Sequence, residues 1–403
     1  MTLLPDGRVL ITGGFSLDAA SQLHYQKEAE VYDPGDGSFT ALPASPAYRR
    51  TGHGALAITS DTTAGILLGG GEGPSDASGG PAAVRPYELF SNGVWQILQP
   101  GTTSPSREHH MAVVDLQKGY AIFAGGINGP DTAPVSATVL DSVSYFDPSK
   151  GTVLDVEEPL ALRLFDAAIV SRKYLAPGGQ AQGGFVLLGG RDSTGIATSQ
   201  ISGMVYSEAL HKYTRDKLWE AAALSSLPSA RVRHFAVRLI DDSIAVIGGL
   251  TKTAIDYSFA TDAVTHVNPT ATSPTPPVSD LAGSNGRLSQ ARGDGCGVLL
   301  EGGAVLYAGG AWKDAQGKSR SLNSTDVVSL TSNTNDVPVR TLQGPGGGTS
   351  TAWGLQAPRH RAACVRLRDG TVLVTGGFQY AADGSGAQVT LDTAEIYTPP
   401  GPP

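Results

Sequence analysis

Arginine and histidine side chains at a fixed spacing are the first candidates in this sequence for a catalytic or anion-binding role. The pattern Arg-x-x-His occurs three times, as Arg50 with His53, Arg107 with His110 and Arg231 with His234. An imidazole suits proton transfer, and a guanidinium suits the binding of anions. A catalytic group is needed once, however, whereas these pairs recur along the chain. The recurrence favours a structural role, in which each guanidinium donates its five N–H groups to carbonyl oxygens nearby.

Three further arginines keep the same register but lack the histidine. They are Arg163, Arg292 and Arg359, and the residues three positions later are Asp166, Gly295 and Ala362. We expect these arginines to have the same structural role as the other three.

The two cysteines, Cys296 and Cys364, are too few for a disulfide framework and have no metal-ligand spacing. They stand at the fourth and fifth positions after Arg292 and Arg359. Neighbouring positions on a strand face opposite sides of a sheet, so a disulfide is not expected. Buried free thiols are the prediction.

Other local patterns fail as chemical motifs. The segment 344–350, Gly-Pro-Gly-Gly-Gly-Thr-Ser, has no lysine before its threonine and does not match a phosphate-binding loop. The segment 33–37 lacks the downstream glutamate of a calcium loop. Neither a cofactor nor a metal is predicted.

Composition excludes two classes of partner. The formal net charge is −8, and no run of basic residues is present, which argues against nucleic acid. The sequence contains no stretch of 18 apolar residues, so no membrane span is predicted. The first residues do not read as a signal peptide, because no apolar run follows a basic start.

A double glycine after a short apolar run is the strongest repeat signal in the chain. It recurs seven times at intervals of 56 to 67 residues, as Gly13–Gly14, Gly69–Gly70, Gly125–Gly126, Gly189–Gly190, Gly248–Gly249, Gly309–Gly310 and Gly376–Gly377. The arginine precedes the pair by about 17 residues in most units, and a β-type run such as Ala-Glu-Val-Tyr-Asp-Pro follows it. Each unit therefore reads as four short strands joined by turns, and such units must pack around an axis to bury their faces.

The order of these features resembles the kelch motif, in the form common in bacterial secreted kelch-repeat proteins. That order is Arg-x-x-His, an apolar strand, Asp-Gly, Val-Leu-x-x-Gly-Gly and Ala-Glu-x-Tyr-Asp-Pro. The resemblance covers nearly the whole chain and implies an all-β, seven-bladed β-propeller with four antiparallel strands per blade. The first and last blades are expected to be incomplete. The predicted domain spans 1–398, with blades near 1–46, 47–103, 104–159, 160–227, 228–288, 289–355 and 356–398, followed by a proline-rich tail at 399–403.

Strand direction predicts which end of the blades binds a ligand. The second-to-third-strand connections and the connections between blades share one end, and long loops on a rigid scaffold are common binding sites. Arg191, Trp312 and Tyr380 are the predicted anchors, since arginine and aromatic residues dominate binding energies. The other predicted contact residues are Phe15, Asn128, Lys313 and Phe378.

The sequence favours a non-catalytic module that binds a protein or a glycan. One alternative is a carbohydrate-active enzyme of the galactose-oxidase or sugar-isomerase type, although the chain has only eight histidines and no further motif for either activity. Another alternative is an architectural module of a larger secreted protein. A monomer is expected. The resemblance, the low content of lysine relative to arginine and the Ser/Thr-rich loops favour an extracytoplasmic location.

Overall fold

Short antiparallel strands make up almost all regular structure in the computed structural model. The structure describes residues 1–18, 22–60, 63–74, 81–84, 86–98, 104–129, 138–175, 181–222, 224–252, 257–269, 277–281, 287–328, 339–341 and 354–399. The predicted glycine-rich loop at 344–350 and most of the tail at 399–403 lie outside these residues. We number the strands of the described residues β1–β37 in chain order.

The chain divides into two compact units, and the first, Met1–Ile196 with Ile201–Ser225, contains four sheets. In each sheet four strands follow one another in sequence order, each antiparallel to the next. Sheet 1 consists of β1 (Thr2–Leu3), β2 (Val9–Thr12), β5 (Ala29–Asp33) and β6 (Ser38–Ala41); sheet 2 of β7 (Gly54–Thr59), β8 (Ala64–Gly69), β11 (Tyr87–Ser91) and β12 (Val94–Leu98); sheet 3 of β13 (Met111–Val114), β14 (Ala121–Ala124), β17 (Val143–Asp147) and β18 (Thr152–Asp155); sheet 4 of β19 (Ala168–Leu175), β20 (Ala181–Leu188), β21 (Ile201–Ser207) and β22 (Lys212–Arg215).

The second unit, Ala197–Gln200 with Ser226–Pro403, contains three sheets of the same design. Sheet 7 has three strands among the described residues, whereas sheet 1 has four, so the expectation of an incomplete first blade is wrong. Sheet 5 consists of β23 (Phe235–Arg238), β24 (Ile244–Ile247), β25 (Val264–Val267) and β26 (Val278–Asp280); sheet 6 of β27 (Cys296–Leu299), β28 (Val305–Ala308), β31 (Thr325–Val328) and β32 (Val339–Thr341); sheet 7 of β33 (Ala363–Arg366), β34 (Val372–Thr375) and β37 (Ala394–Tyr397).

Two-stranded ribbons extend the connection between the second and third strands of five sheets. The ribbons pair β3 (Phe15–Leu17) with β4 (Leu23–Tyr25), β9 (Glu72–Pro74) with β10 (Pro81–Ala83), β15 (Ile127–Asn128) with β16 (Thr138–Val139), β29 (Ala311–Lys313) with β30 (Ser319–Ser321), and β35 (Phe378–Tyr380) with β36 (Gln388–Thr390). The described helices are two short 3₁₀ turns, Lys217–Glu220 and Tyr257–Phe259. The seven sheets are the blades of a seven-bladed β-propeller, the all-β fold class that the repeat predicts.

The apolar faces of adjacent sheets pack against each other within each unit. Tyr87 of sheet 2 meets the Phe123 ring of sheet 3 edge-on, with 5.0 Å between ring centroids. Ile247 of sheet 5 and Tyr307 of sheet 6 belong to one such buried cluster in the second unit. Each sheet thereby buries a face that it could not cover alone.

Five of the repeat arginines, Arg50, Arg107, Arg231, Arg292 and Arg359, are at most 1% exposed. Each donates to backbone carbonyls next to the glycine pair or next to the third strand of its own sheet. Arg359 is representative: its guanidinium donates to the carbonyls of Gly376 and Thr393 at 2.9 and 3.1 Å and to the Glu395 carboxylate at 2.6 Å. The side chain therefore links the segment before β33 to the end of β34 and to the start of β37.

The backbone of the same arginine holds the preceding blade. The Gly310 N–H donates to the Arg359 carbonyl at 2.8 Å, and the Gly14 N–H donates to the Arg50 carbonyl at 2.8 Å. Both residues of the predicted glycine pair have positive φ in every blade except blade 2. A Cβ on Gly13 would lie 2.3 Å from the Arg50 oxygen, so no larger residue fits there.

Blade 4 departs from the sequence prediction, because Arg163 is not the counterpart of the buried arginines. Its side chain is 55% exposed and pairs with Asp141 at the surface. In blade 4 the Gly126 N–H donates instead to the carbonyl of Leu164, and Leu164 is fully buried. The register therefore shifts by one residue, and Ala167 rather than Asp166 takes the histidine position. In blade 2 the glycine pair is likewise Gly70–Gly71, one residue later than predicted, since these two have φ of 63° and 91°.

The prediction of free thiols is wrong, because Cys296 and Cys364 form a disulfide with Cα atoms 5.8 Å apart. The cysteines lie on β27 and β33, the first strands of blades 6 and 7. Adjacent blades pack with one face of the first against the opposite face of the second. Two residues on equivalent strands of adjacent blades therefore meet when they point to opposite faces of their own sheets. Strand alternation thus favours the Cys296–Cys364 disulfide instead of excluding it.

Two of the repeat histidines, His53 and His110, are packed into the glycine turns of the neighbouring blade. His53 Nε2 lies 3.0 Å from Thr12 Oγ1, and the His110 ring lies against Gly54 and Gly70. Burial lowers the pKa of His53 well below its usual value and that of His110 to about 3. These imidazoles are neutral at physiological pH.

We expect alanine at Arg231 to destabilise the fold and alanine at Arg163 to leave it intact. Arg231→Ala removes the donors to the Ala263 carbonyl and to Asp280, and leaving such partners unpaired costs about 1–3 kcal/mol. Arg163→Ala alters a surface pair and should change the free energy of unfolding by less than about 0.5 kcal/mol. Denaturant unfolding of both variants measures the difference, and equal stabilities would contradict the assignment of Arg231.

We also expect stability to fall as the pH falls from about 6.5 towards about 3. The unfolded chain binds protons below about pH 6.5, whereas the folded state keeps His110 neutral, so the unfolded state is favoured. His110→Gln should reduce the slope of the free energy of unfolding against pH by up to about 1.4 kcal/mol per unit. Urea unfolding between pH 7.5 and 5 measures this slope. His24→Gln, at an exposed site, is the control, and an equal slope in both variants would refute the prediction.

Candidate functional site

Isolated β-bridges show that two kinds of connection share one end of the blade in blades 2–7. The residue after the repeat arginine position bridges the residue after the glycine pair, as in Thr51 with Glu72 and His360 with Phe378. Five of the seven glycine pairs are followed at this point by the ribbons. We call this end of the blades the loop end.

The next residue along the chain, two positions after the repeat arginine or Leu164, has a left-handed backbone in six blades. We call these residues the left-handed positions; they are Gly52, His109, Asp166, Arg233, Asp294 and Arg361, with φ between 50° and 61°. A left-handed conformation costs a residue with a Cβ about 1–2 kcal/mol, and strained residues of this kind cluster at functional sites. Gly52 shows that glycine fits the position, yet five blades carry a polar or charged side chain there.

Backbone hydrogen bonds link successive left-handed positions within each unit. In the first unit the Asp166 N–H donates to the His109 carbonyl at 3.1 Å. In the second unit the Asp294 N–H donates to the Arg233 carbonyl at 3.1 Å, and the Arg361 N–H donates to the Asp294 carbonyl at 2.8 Å. The backbone of these residues is therefore fixed, and their side chains project from a rigid base.

In the first unit the left-handed positions form an ion-paired cluster. His109 Nδ1 lies 2.8 Å from one oxygen of Asp166, and Arg191 Nε lies 3.5 Å from the other. The Arg191 guanidinium also lies over the Phe165 ring, 5.5 Å from its centroid. Because its side chain is only 12% exposed, Arg191 offers a small polar surface to a ligand.

In the second unit a buried carboxylate joins two arginines. Asp294 is 3.0 Å from Arg233 and 3.6 Å from Arg361, and it accepts a hydrogen bond from the Tyr257 hydroxyl at 2.5 Å. Burial alone would raise the pKa of Asp294, but the two guanidinium groups and the tyrosine hold it below its ordinary value. Burial, followed by the charge of Asp294, raises the pKa of Tyr257. The cluster is thus a stable anion with two cations at neutral pH.

Aromatic rings pack beside this carboxylate. The Tyr380 ring stacks on His360, with centroids 4.7 Å apart and planes 12° apart, and the Tyr257 ring meets Tyr380 edge-on at 6.2 Å. His360 Nδ1 lies 2.9 Å from Ser321 Oγ. Burial lowers the pKa of His360 to about 4, so the imidazole is neutral under physiological conditions.

The structure distributes the predicted contact residues over both units. Tyr380 belongs to the aromatic group just described, and Phe378 lies beneath His360 and is only 6% exposed. Trp312 and Lys313 stand on the ribbon strand β29 in the second unit. Arg191, Phe15 on β3 and the exposed Asn128 on β15 belong to the first unit.

Sequence reasoning missed the left-handed positions, which are the most distinctive polar residues of the loop end. A usable signal exists, because the position two residues after the repeat arginine is polar or charged in most blades. The histidine at the following position is the more familiar catalytic residue type, and in blade 4 the shifted register places Asp166 at the apparent histidine position. Arg361 is the most accessible charged group among them, with 39% of its side chain exposed.

Two properties of the described residues concern metal binding and membrane crossing. Among them, no group of three or more His, Cys, Asp or Glu side chains is arranged to hold a metal ion. No described helix has the length and apolar character that a membrane crossing requires. The loop end presents guanidinium groups, tyrosine hydroxyls and the neutral imidazole of His360.

Comparison with known proteins identifies the fold alone. No protein-family profile matches the chain, and no curated protein sequence matches it. Among solved structures, one described as "Structure of YjhT" is similar, with 17% sequence identity and a TM-score of 0.55. The similarity covers 84% of this chain and 100% of that one. The chain is thus similar in fold to YjhT, at an identity too low to transfer a function.

Proposed function

We propose that this chain is a non-catalytic binding module that recognises a protein or glycan partner through the loop end of its blades. The observation that carries the proposal is the set of left-handed positions. Glycine is the residue with the lowest conformational cost there, and Gly52 occupies the position in blade 2. The other five side chains are retained at a conformational cost, which supports a role in contact with a ligand.

The charges of the second unit favour an anionic group on that partner. Asp294 neutralises one positive charge, and Arg233 and Arg361 together carry two. Arg233 is largely buried by its ion pair, whereas Arg361 is well exposed. Arginine binds carboxylates with two parallel hydrogen bonds, so Arg361 is the proposed anchor in this unit. Trp312, Tyr380 and, in the first unit, Arg191 remain proposed contact residues.

Binding fits the site better than catalysis does. A general acid or base needs a pKa near the working pH, whereas Asp294 is held ionised and His360 is held neutral. Groups fixed in one protonation state are suited to positioning a ligand. Turnover of a sugar by the purified chain would instead favour the alternative, a carbohydrate-active enzyme, and an architectural role would be indicated by the absence of any ligand.

The disulfide supports an extracytoplasmic location as part of the proposal. Disulfides persist in oxidising compartments and are rare in the cytosol. Cys296 and Cys364 are therefore expected to be oxidised in the native protein, and mass spectrometry of alkylated material from its source would measure this. Fully reduced cysteines in that material would contradict an extracytoplasmic location.

Replacing Arg361 with glycine should weaken recognition without disturbing the fold. Glycine adopts the φ of 54° at this position without strain, so thermal stability should stay the same or rise. Arrays of glycans and peptides, each with carboxylate-bearing and neutral members, would first identify a ligand for the wild-type chain. We then expect Arg361→Gly to bind that ligand at least about tenfold more weakly, a loss of about 1.4 kcal/mol.

Asp242→Gly is the matched control, because Asp242 also has positive φ but lies in the turn between β23 and β24, at the other end of blade 5. This variant should bind like the wild type. Affinity for a carboxylate-bearing ligand that stays within about twofold in Arg361→Gly would overturn the proposed anchor.

A further inference from the structure

The outer strand of blade 2 presents an apolar, uncharged sheet edge. β12 pairs with β11 along one side, and no strand among the described residues pairs with its other side. Its sequence is Val-Trp-Gln-Ile-Leu, and the whole segment 89–106 contains no charged residue. Val94 is 64% exposed and Ile97 is 45% exposed. An edge strand with exposed apolar residues and no charge favours pairing with another strand, which proteins normally prevent.

The outer strands of the other blades are protected against such pairing. β18, β22, β26 and β32 each contain a charged residue, namely Asp155, Arg215, Asp280 and Arg340. β6 is one residue shorter than β12 and follows a turn that contains Asp36. Charges on an edge strand discourage edge-to-edge contact, so β12 is the exception among the outer strands of the described residues.

The hairpin turn determines which backbone groups of β12 face outward. Asn92–Gly93 is a two-residue turn with φ of 51° and 79°, and it pairs Ser91 with Val94. The two residues that flank such a turn bond to each other, and the direction of hydrogen bonding alternates along a strand. Every second residue of β12, starting at Val94, therefore bonds to β11. The N–H and C=O groups of Trp95 and Ile97 point away from β11, towards the free edge.

β12 is complementary to a second copy of itself. Directly opposite residues of antiparallel strands lie on the same face of a sheet, so two copies related by a twofold axis must be centred on a residue. Centring on Gln96 pairs the whole strand with its copy. The outward backbone groups of Trp95 then meet those of Ile97 in the other copy. Each tryptophan also lies opposite an isoleucine and each Val94 opposite a Leu98, and such apolar pairs stabilise a sheet.

Two further observations favour a copy of this chain as the occupant. Each chain has a formal net charge of −8, yet two copies that meet along the uncharged segment 89–106 bring no like charges together there. The edge is also held in place before pairing. Trp95 Nε1 donates to the Ala44 carbonyl at 3.0 Å, and the Trp95 ring lies 4.9 Å from the Phe90 ring.

We propose that β12 pairs antiparallel with β12 of a second copy of this chain, centred on Gln96, and so forms a twofold dimer. The two sheets of blade 2 then become one continuous sheet. Backbone hydrogen bonds between Trp95 and Ile97 supply affinity, and the apolar side-chain pairs fix the register. The proposal replaces the expectation of a monomer, and it does not rest on the proposed function of the loop end.

Charge exchange at Gln96 tests the dimer and its register with the whole 403-residue chain. Sedimentation velocity over about 1–100 µM protein should show the wild type approaching the mass of two chains as its concentration rises. Gln96→Lys and Gln96→Glu each place like charges opposite each other, so the dissociation constant of the dimer should rise at least about tenfold. An equimolar mixture of the two variants places lysine opposite glutamate and should restore the dimer.

Thr40→Lys is the matched control, because Thr40 is exposed and occupies the position on β6 that Gln96 occupies on β12. This variant should dimerise like the wild type. Gln96 is itself exposed, so its variants should keep the thermal stability of the wild type. A wild type that stays monomeric would overturn the proposal in favour of a different occupant, such as a strand of another protein. Normal dimerisation of Gln96→Lys, or a mixture that fails to restore the dimer, would also overturn it.

Discussion

The contact between a repeat arginine and a glycine pair is the interaction on which the blades depend. The guanidinium of Arg359 binds the Gly376 carbonyl within its own blade, while the Arg359 carbonyl accepts the Gly310 N–H of the blade before it. One residue thus fixes the start of a blade and its contact with its neighbour. A Cβ on the first glycine would collide with that carbonyl, which explains why the arginine and the glycine pair recur together.

Blade 4 shows which half of this contact is indispensable. Leu164 has no side-chain donors, yet its carbonyl accepts the Gly126 N–H at 2.8 Å, the distance also found at Arg50 and Arg359. Within the blade, the charged link is supplied differently, by Arg172 on β19, which pairs with Asp216 and lies over Trp219. The backbone contact therefore forms with leucine as well as with arginine at this position, whereas the guanidinium network can be replaced.

The sequence was sufficient for the fold class because glycine pairs mark the one place in each blade where no side chain fits. It was insufficient for features set by packing between blades. The Cys296–Cys364 disulfide was missed since strand alternation was applied to one sheet rather than to two facing sheets. Arg163 was misassigned since Leu164 carries no polar signal, and Asp294 was missed since its significance lies in the partners Arg233, Arg361 and Tyr257.

The left-handed positions have a consequence for how recognition can change over time. Their backbone is held by hydrogen bonds to neighbouring blades, and glycine is accepted there, as at Gly52. A substitution at Arg233, Asp294 or Arg361 thus leaves the hydrogen-bonded backbone in place, although it changes the ion pairs among them. The chemistry displayed by each blade can drift separately from that of its neighbours, so that proteins with this scaffold could diverge in ligand preference through single-residue changes while their architecture stays constant.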